Sequence, residues 1–218
     1  MEARPESLVK DWKAGTFHCA YYFIGEQAFA AQAVAQLRAI LNPDTFNFAQ
    51  FSGDIDPQAE AIVAEALTSP AFGPRRLIIV DNPKIPAKAR AEFTRYLESP
   101  LETSTVVFFS DEKKIDPKDT LARAVGARGA VCLIKPLRDD EAQKRLQEEA
   151  KKLNKTLAPQ AALLLVQEIG TDWTILRQEL EKALLFSGDS PNIEREHVLQ
   201  CLGYQKSADP FALPRLIQ

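Results

Sequence analysis

The sequence predicts an α/β protein: a five-stranded parallel sheet with helices on both faces, followed by a small all-helical domain. Three observations predict it. Short apolar runs alternate with stretches of helical spacing from His18 to about Pro136. Two of those runs, RLIIVD (76–81) and TVVFFSD (105–111), are nearly continuous hydrophobic blocks, as strands covered on both faces must be. After Pro136 the strand-like runs stop, and amphipathic helical segments take over.

Taken in order, the strand candidates are HCAYYFI (18–24), FNFAQFS (46–52), RLIIVD (76–81), TVVFFSD (105–111) and AVCLIK (130–135). Between them, 27–41, 58–67, 87–97 and 119–125 carry helical spacing. Pro57 and Pro86 stand at helix starts, where a fixed φ and a missing N–H cost least. Beyond residue 137 comes RDDEAQKRLQEEAKKLNK, with Asp139 or Asp140 expected as N-cap and basic residues toward its end. Three further helices are expected to close at Gly170, Gly188 and Gly203. The expected division is an α/β domain over 1–137 and a helical domain over 138–205. A further apolar helical pattern, DPFALPRLIQ, begins within 206–218.

With 218 residues, 45% of them hydrophobic, the chain can bury one large or two modest cores. A net charge of −3 argues against a free-standing DNA-binding protein, which carries a basic field. It allows a protein that works beside DNA while a partner supplies positive charge. Cys19, Cys132 and Cys201 form no CxxC pair and no zinc spacing, so buried thiols in a reducing compartment are expected, with no metal. The charged N-terminus does not read as a signal peptide, and no apolar run is long enough to span a bilayer. A soluble cytoplasmic protein is the expectation, with no membrane partner.

The segment YYFIGEQAFAAQAVAQL (21–37) has the strand, glycine and helix order of a phosphate-binding loop. A working loop, G-x-x-x-x-G-K-[ST], uses glycines to aim backbone N–H groups, a lysine to neutralise phosphate and a hydroxyl to hold Mg²⁺. Counting from Gly25, those places hold Ala30, Ala31 and Gln32. Glu26 adds negative charge where a triphosphate would sit. The third apolar run ends at Asp81, a position suited to a metal-binding carboxylate, but Asn82 follows it, and an amide cannot act as a general base. In GTDWTILRQEL, Thr174 stands where many ATPases of this architecture place a nucleotide-sensing arginine. Gly25, Ala30, Ala31, Gln32 and Asp81 therefore read as a degenerate nucleotide site that holds no cofactor.

A rival reading joins Asp81, Ser110 and Lys135-Pro136 as a phosphoacceptor receiver. It lacks the acidic pair after the first strand, where IGEQ offers only Glu26. His18 and His197 have no ligand or nucleophile spacing, and no catalytic constellation is visible.

The most informative loop is LTSPAFGPRRLIIV (67–80). Pro70 and Pro74 restrict it, and Gly73 is expected to permit a tight turn. Phe72, held on such a turn, either folds under its own domain or projects as an anchor for a partner's pocket.

YYFIGEQAF, LTSPAFGPRRLIIVDN, LESP with TVVFFSDEKKID, and GTDWTILRQELEKALLFSG together resemble the delta subunit family of the bacterial DNA polymerase III clamp loader, over essentially the whole chain. The resemblance implies an AAA+-like fold, a helical lid over 138–205 and, at 206–218, the start of a truncated collar domain. It implies a subunit without intrinsic ATPase activity, part of a DNA-directed DNA polymerase holoenzyme (a nucleotidyltransferase). Its partners would be the sliding clamp (the beta subunit) and the gamma/tau and delta prime subunits, with primed DNA reached only through the assembled complex. Clamp binding and ring opening would run through Ser69, Pro70, Ala71, Phe72 and Gly73. Phe72 matches the family's phenylalanine, while Ala71 replaces its leucine. That loss of apolar area predicts weaker binding unless Pro70 compensates. The zinc cysteines and Ser-Arg-Cys finger usual in delta prime are absent. The competing readings are an active AAA+ NTPase with an aberrant loop and the receiver domain.

Overall fold

The structure is a computed structural model that describes residues 2–207. The chain divides into two compact units, one ending at Lys135 and one beginning at Pro136. The expected collar start at 206–218 lies outside the described residues except for its first two.

In the first unit the elements run β1 (Glu2–Ala3), α1 (Pro5–Lys13), β2 (Ala20–Gly25), α2 (Gln27–Leu41), β3 (Phe48–Ser52), α3 (Ala59–Leu67), β4 (Arg76–Asp81), α4 (Ala87–Tyr96), β5 (Ser104–Ser110), α5 (Thr120–Arg128) and β6 (Ala130–Ile134). The five expected strands form one parallel sheet, and β1 adds a short sixth strand at its edge, in the order β1-β6-β2-β5-β4-β3. Two residues are too few for any apolar period to announce β1.

Alternation along each strand divides the core. Tyr22, Ile24, Ile78, Val80, Val106 and Phe108 pack with side chains of α3, α4 and α5. Their neighbours Tyr21, Phe23, Leu77, Ile79, Val107 and Phe109 pack with α1 and α2. The continuous apolar runs are thus two alternating sets, each buried under its own helical layer. One polar set within this core is matched: the Trp12 indole N–H donates to the Tyr21 hydroxyl at 2.8 Å, which also accepts from the His18 backbone N–H at 2.9 Å.

Asp119 joins three elements. Its carboxylate caps α5 by accepting from the Leu121 and Ala122 N–H groups at 2.9 and 3.1 Å. It also pairs with Arg90 of α4 at 2.6 Å and accepts from the Tyr22 hydroxyl of β2 at 3.4 Å. Asp119→Ala is therefore expected to cost about 2–4 kcal/mol, because it removes a cap and strands a half-buried guanidinium. Asp119→Asn keeps a cap acceptor and should cost less. Urea denaturation of the two variants checks the order.

The second unit contains α6 (Asp139–Lys152), α7 (Pro159–Ile169), α8 (Trp173–Ser187) and α9 (Arg195–Ser207). Leu146, Leu165, Leu176, Leu180 and Val198 supply its core. A two-residue parallel pair, β7 (Thr156–Leu157) with β8 (Asn192–Ile193), ties its loops. Two details differ from expectation. The N-cap of α6 is Arg138, whose backbone N–H donates to the Glu141 carboxylate at 3.0 Å. That bond holds the Glu141 carboxyl below its ordinary range. Asp139 and Asp140 instead occupy the first turn, where the helix dipole favours them. The helix expected to close at Gly203 continues to Ser207, because a glycine inside a helix weakens it without ending it.

Candidate functional site

Two places near opposite ends of the sheet carry the residues singled out by the sequence. At the C-terminal end, Glu26 alone separates β2 from α2. Gly25 has φ +112°, and a Cβ there would lie 2.0 Å from the Ile134 carbonyl oxygen of β6. The glycine is required by that close approach of backbone. The Glu26 N–H donates to the same Ile134 oxygen at 3.1 Å, and the Ala30 N–H donates to the Glu26 oxygen at 3.1 Å. The Glu26 amide is thus spent on the neighbouring strand, and the Ala30 bond is the first of α2. The Gln27 side-chain amide spans the strand ends, donating to Ser110 O at 2.9 Å and Gly25 O at 3.2 Å. Ala30 is buried, while Ala31 and Gln32 lie on the exposed side of α2.

An open cavity of about 500 Å³ lies beside α2, with Ala31, Val34, Arg38, Gln50, Ile79 and Asp81 in its wall. It brings together Ala31 and Asp81 of the predicted set and leaves Gly25, Ala30 and Gln32 out. Asp81 accepts from the Gln50 side-chain amide at 2.8 Å, and the Arg38 guanidinium lies over the Phe48 ring at 3.9 Å. Its carboxylate and cation are therefore already partnered. In the second unit Thr174 is held in the first turn of α8, its N–H donating to Asp172 at 2.9 Å.

Strand order decides against the receiver arrangement. A receiver sheet runs 2-1-3-4-5, which puts its first and third strands side by side. Here β5 separates β2 from β4, so Glu26 and Asp81 sit two strands apart. Burial pushes the Cys132 thiol up to about 12 and raises Cys19 and Cys201, so none is poised as a thiolate at neutral pH. Burial lowers the His18 imidazole, keeping it neutral. Among the described residues no cluster of three His, Cys, Asp or Glu side chains could hold a metal ion, and no helix is long and apolar enough to cross a membrane.

The second place lies at the N-terminal ends of β3 and β4. Phe72 is fully exposed, and its φ of +58° lies in the left-handed region. That conformation costs a non-glycine residue about 1–2 kcal/mol and persists only where surroundings impose it. The imposing group is Asn47, which is buried. Its side-chain oxygen accepts from the Ala71 N–H at 2.8 Å, and its amide nitrogen donates to the Ala71 carbonyl. Asp44 secures Asn47 in turn, accepting from the Asn47 N–H at 2.9 Å and from its side chain at 3.1 Å. Gly73 has a different role from the one expected of it: the left-handed residue is Phe72, and a Cβ on Gly73 would press the Asn47 amide at 3.0 Å. Arg75 leaves the loop by donating to Ser104 O and Thr105 Oγ1, both at 3.1 Å. Arg76 pairs with Glu65 of α3. Asn47 and Asp44 escaped the sequence reading. The available signal was a polar residue between two phenylalanines in FNF.

The sheet order and the following helical unit define an AAA+-like protein, with a one-residue turn at Glu26 between β2 and α2. The chain belongs to the family described as DNA polymerase III, delta subunit, whose profile matches residues 21–135. It is 29% identical to DNA polymerase III subunit delta of Bacillus subtilis (strain 168), over 94% of this chain and 62% of that protein. The solved structure of the Bacillus subtilis DNA clamp loader delta protein (YqeN) matches with a TM-score of 0.59 and 25% identity, over 90% of this chain and 61% of that one. The chain thus spans less than two thirds of the length of these relatives. The Thermotoga maritima RuvB Holliday junction branch migration motor shares the fold with a TM-score of 0.64 at 11% identity, covering 92% of this chain and 68% of its own.

Proposed function

We propose that this chain is a clamp-loader subunit that binds the DNA polymerase sliding clamp through Ser69, Pro70, Ala71, Phe72 and Gly73 and does not itself hydrolyse ATP. The observation that carries the reading is the fully exposed Phe72 ring, held in a strained backbone by Asn47. A buried asparagine that orders an exposed aromatic pre-organises a contact and lowers the entropy lost on binding. The one-residue turn at Glu26 and the partnered Asp81 support a scaffold without nucleotide chemistry.

The mechanism is differential binding. The loop prefers a clamp whose subunit interface is relaxed, and the free energy of that preference shifts the ring toward its open form. Gamma/tau subunits handle ATP, delta prime completes the assembly, and primed DNA is reached only through that complex in the cytoplasm.

The test mixes the full chain with the sliding clamp of the same organism, with and without Mg-ATP, followed by size-exclusion chromatography. Co-elution in both conditions is expected, together with no saturable ATP binding by calorimetry. Separate elution removes the clamp reading. Saturable ATP binding favours an active NTPase.

A further inference from the structure

Among the described residues, the exposed large hydrophobic side chains of the first unit are Phe46, Leu67 and Phe72. They are not scattered. Leu67 ends α3, Phe72 precedes β4, and Phe46 precedes β3, the strand paired with β4. All three therefore gather toward the N-terminal ends of one strand pair. Single exposed apolar residues need no explanation, but such a grouping marks a contact surface.

Phe46 is 68% exposed, although the apolar run FNFAQFS places it in a strand. The strand begins two residues later, at Phe48. Phe46 instead stands in a turn made by Asp44, whose carboxylate accepts the Phe46 N–H at 2.9 Å. The next residue is Asn47, the side chain that holds Ala71 by both its N–H and its carbonyl. One buried asparagine thus fixes two loops as one body, with an exposed phenylalanine one residue from each end of the Asn47–Ala71 pair.

We infer that Phe46 is a second anchor of the clamp contact, adding apolar area from a neighbouring loop that Asn47 ties to Ala71. The inference rests on the clamp-binding reading and adds a residue to it. The partner surface it requires is an apolar pocket wide enough for two aromatic rings. Phe72 sets the position, and Phe46 contributes affinity and partner preference.

The experiment measures clamp affinity by surface plasmon resonance for the full chain carrying Phe46→Ala, Phe46→Leu, Phe72→Ala, or both alanine changes. Phe46→Ala is expected to weaken binding about tenfold, the scale of an interface residue that matters. Phe46→Leu should recover most of it. The double variant should lose less than the product of the single losses, as residues sharing one pocket do. An unchanged melting temperature for Phe46→Ala confines the effect to binding. If Phe72→Ala weakens binding while Phe46→Ala stays within twofold of the unaltered chain, the second anchor is overturned and the clamp reading stands. If the unaltered chain does not bind, both fall.

Discussion

Phe72→Ala is expected to weaken clamp binding about 10- to 150-fold, the factor that corresponds to withdrawing a burial of about 1.5–3 kcal/mol. The side chain is fully exposed in the free protein, so that energy is unspent until a partner covers it. The same exposure predicts that folding stability shifts by no more than about 0.5 kcal/mol. Affinity and stability should therefore separate cleanly, and most of the change should fall on the dissociation rate. Titration calorimetry against the clamp, with thermal unfolding of the same samples, checks both halves. An unchanged affinity would place the contact elsewhere on the molecule.

Gly25→Ala should cost the fold about 3–5 kcal/mol, a sizeable part of a typical domain's stability. The added methyl would meet the Ile134 carbonyl oxygen at 2.0 Å, on a backbone with φ +112°. Neither side can yield easily, because β2 and β6 are registered neighbours through Gly25 and Ile134. A glycine kept for phosphate would show its loss in nucleotide affinity. This one should show it in the denaturation midpoint. A variant within about 1 kcal/mol of the unaltered chain would mean that the two strands do not approach as closely as described.

Element order was legible because burial imposes a period. TVVFFSD reads as a strand since both of its alternating sets are apolar, and the helix over 27–41 is found at Gln27–Leu41. Short elements escaped: β1, β7 and β8 have two residues each, and backbone pairing alone makes them strands. At the first strand–helix turn the missing lysine and hydroxyl were visible in the sequence. The partner of its backbone was not, since only the structure shows the Glu26 N–H donating to Ile134 O of β6.

The sequence by itself determined the alternation of strands and helices, the family and the residues offered at each loop, because these depend on neighbours along the chain. It left Phe72 free to point inward or outward. Tertiary structure decided that, through Asn47, which stands 24 residues from the Ala71 it holds. It also moved Phe46 from a strand to an exposed turn beside the same asparagine. The physical reason is that a side chain's exposure depends on which distant polar group satisfies the backbone beside it, and local periodicity carries no record of that partner.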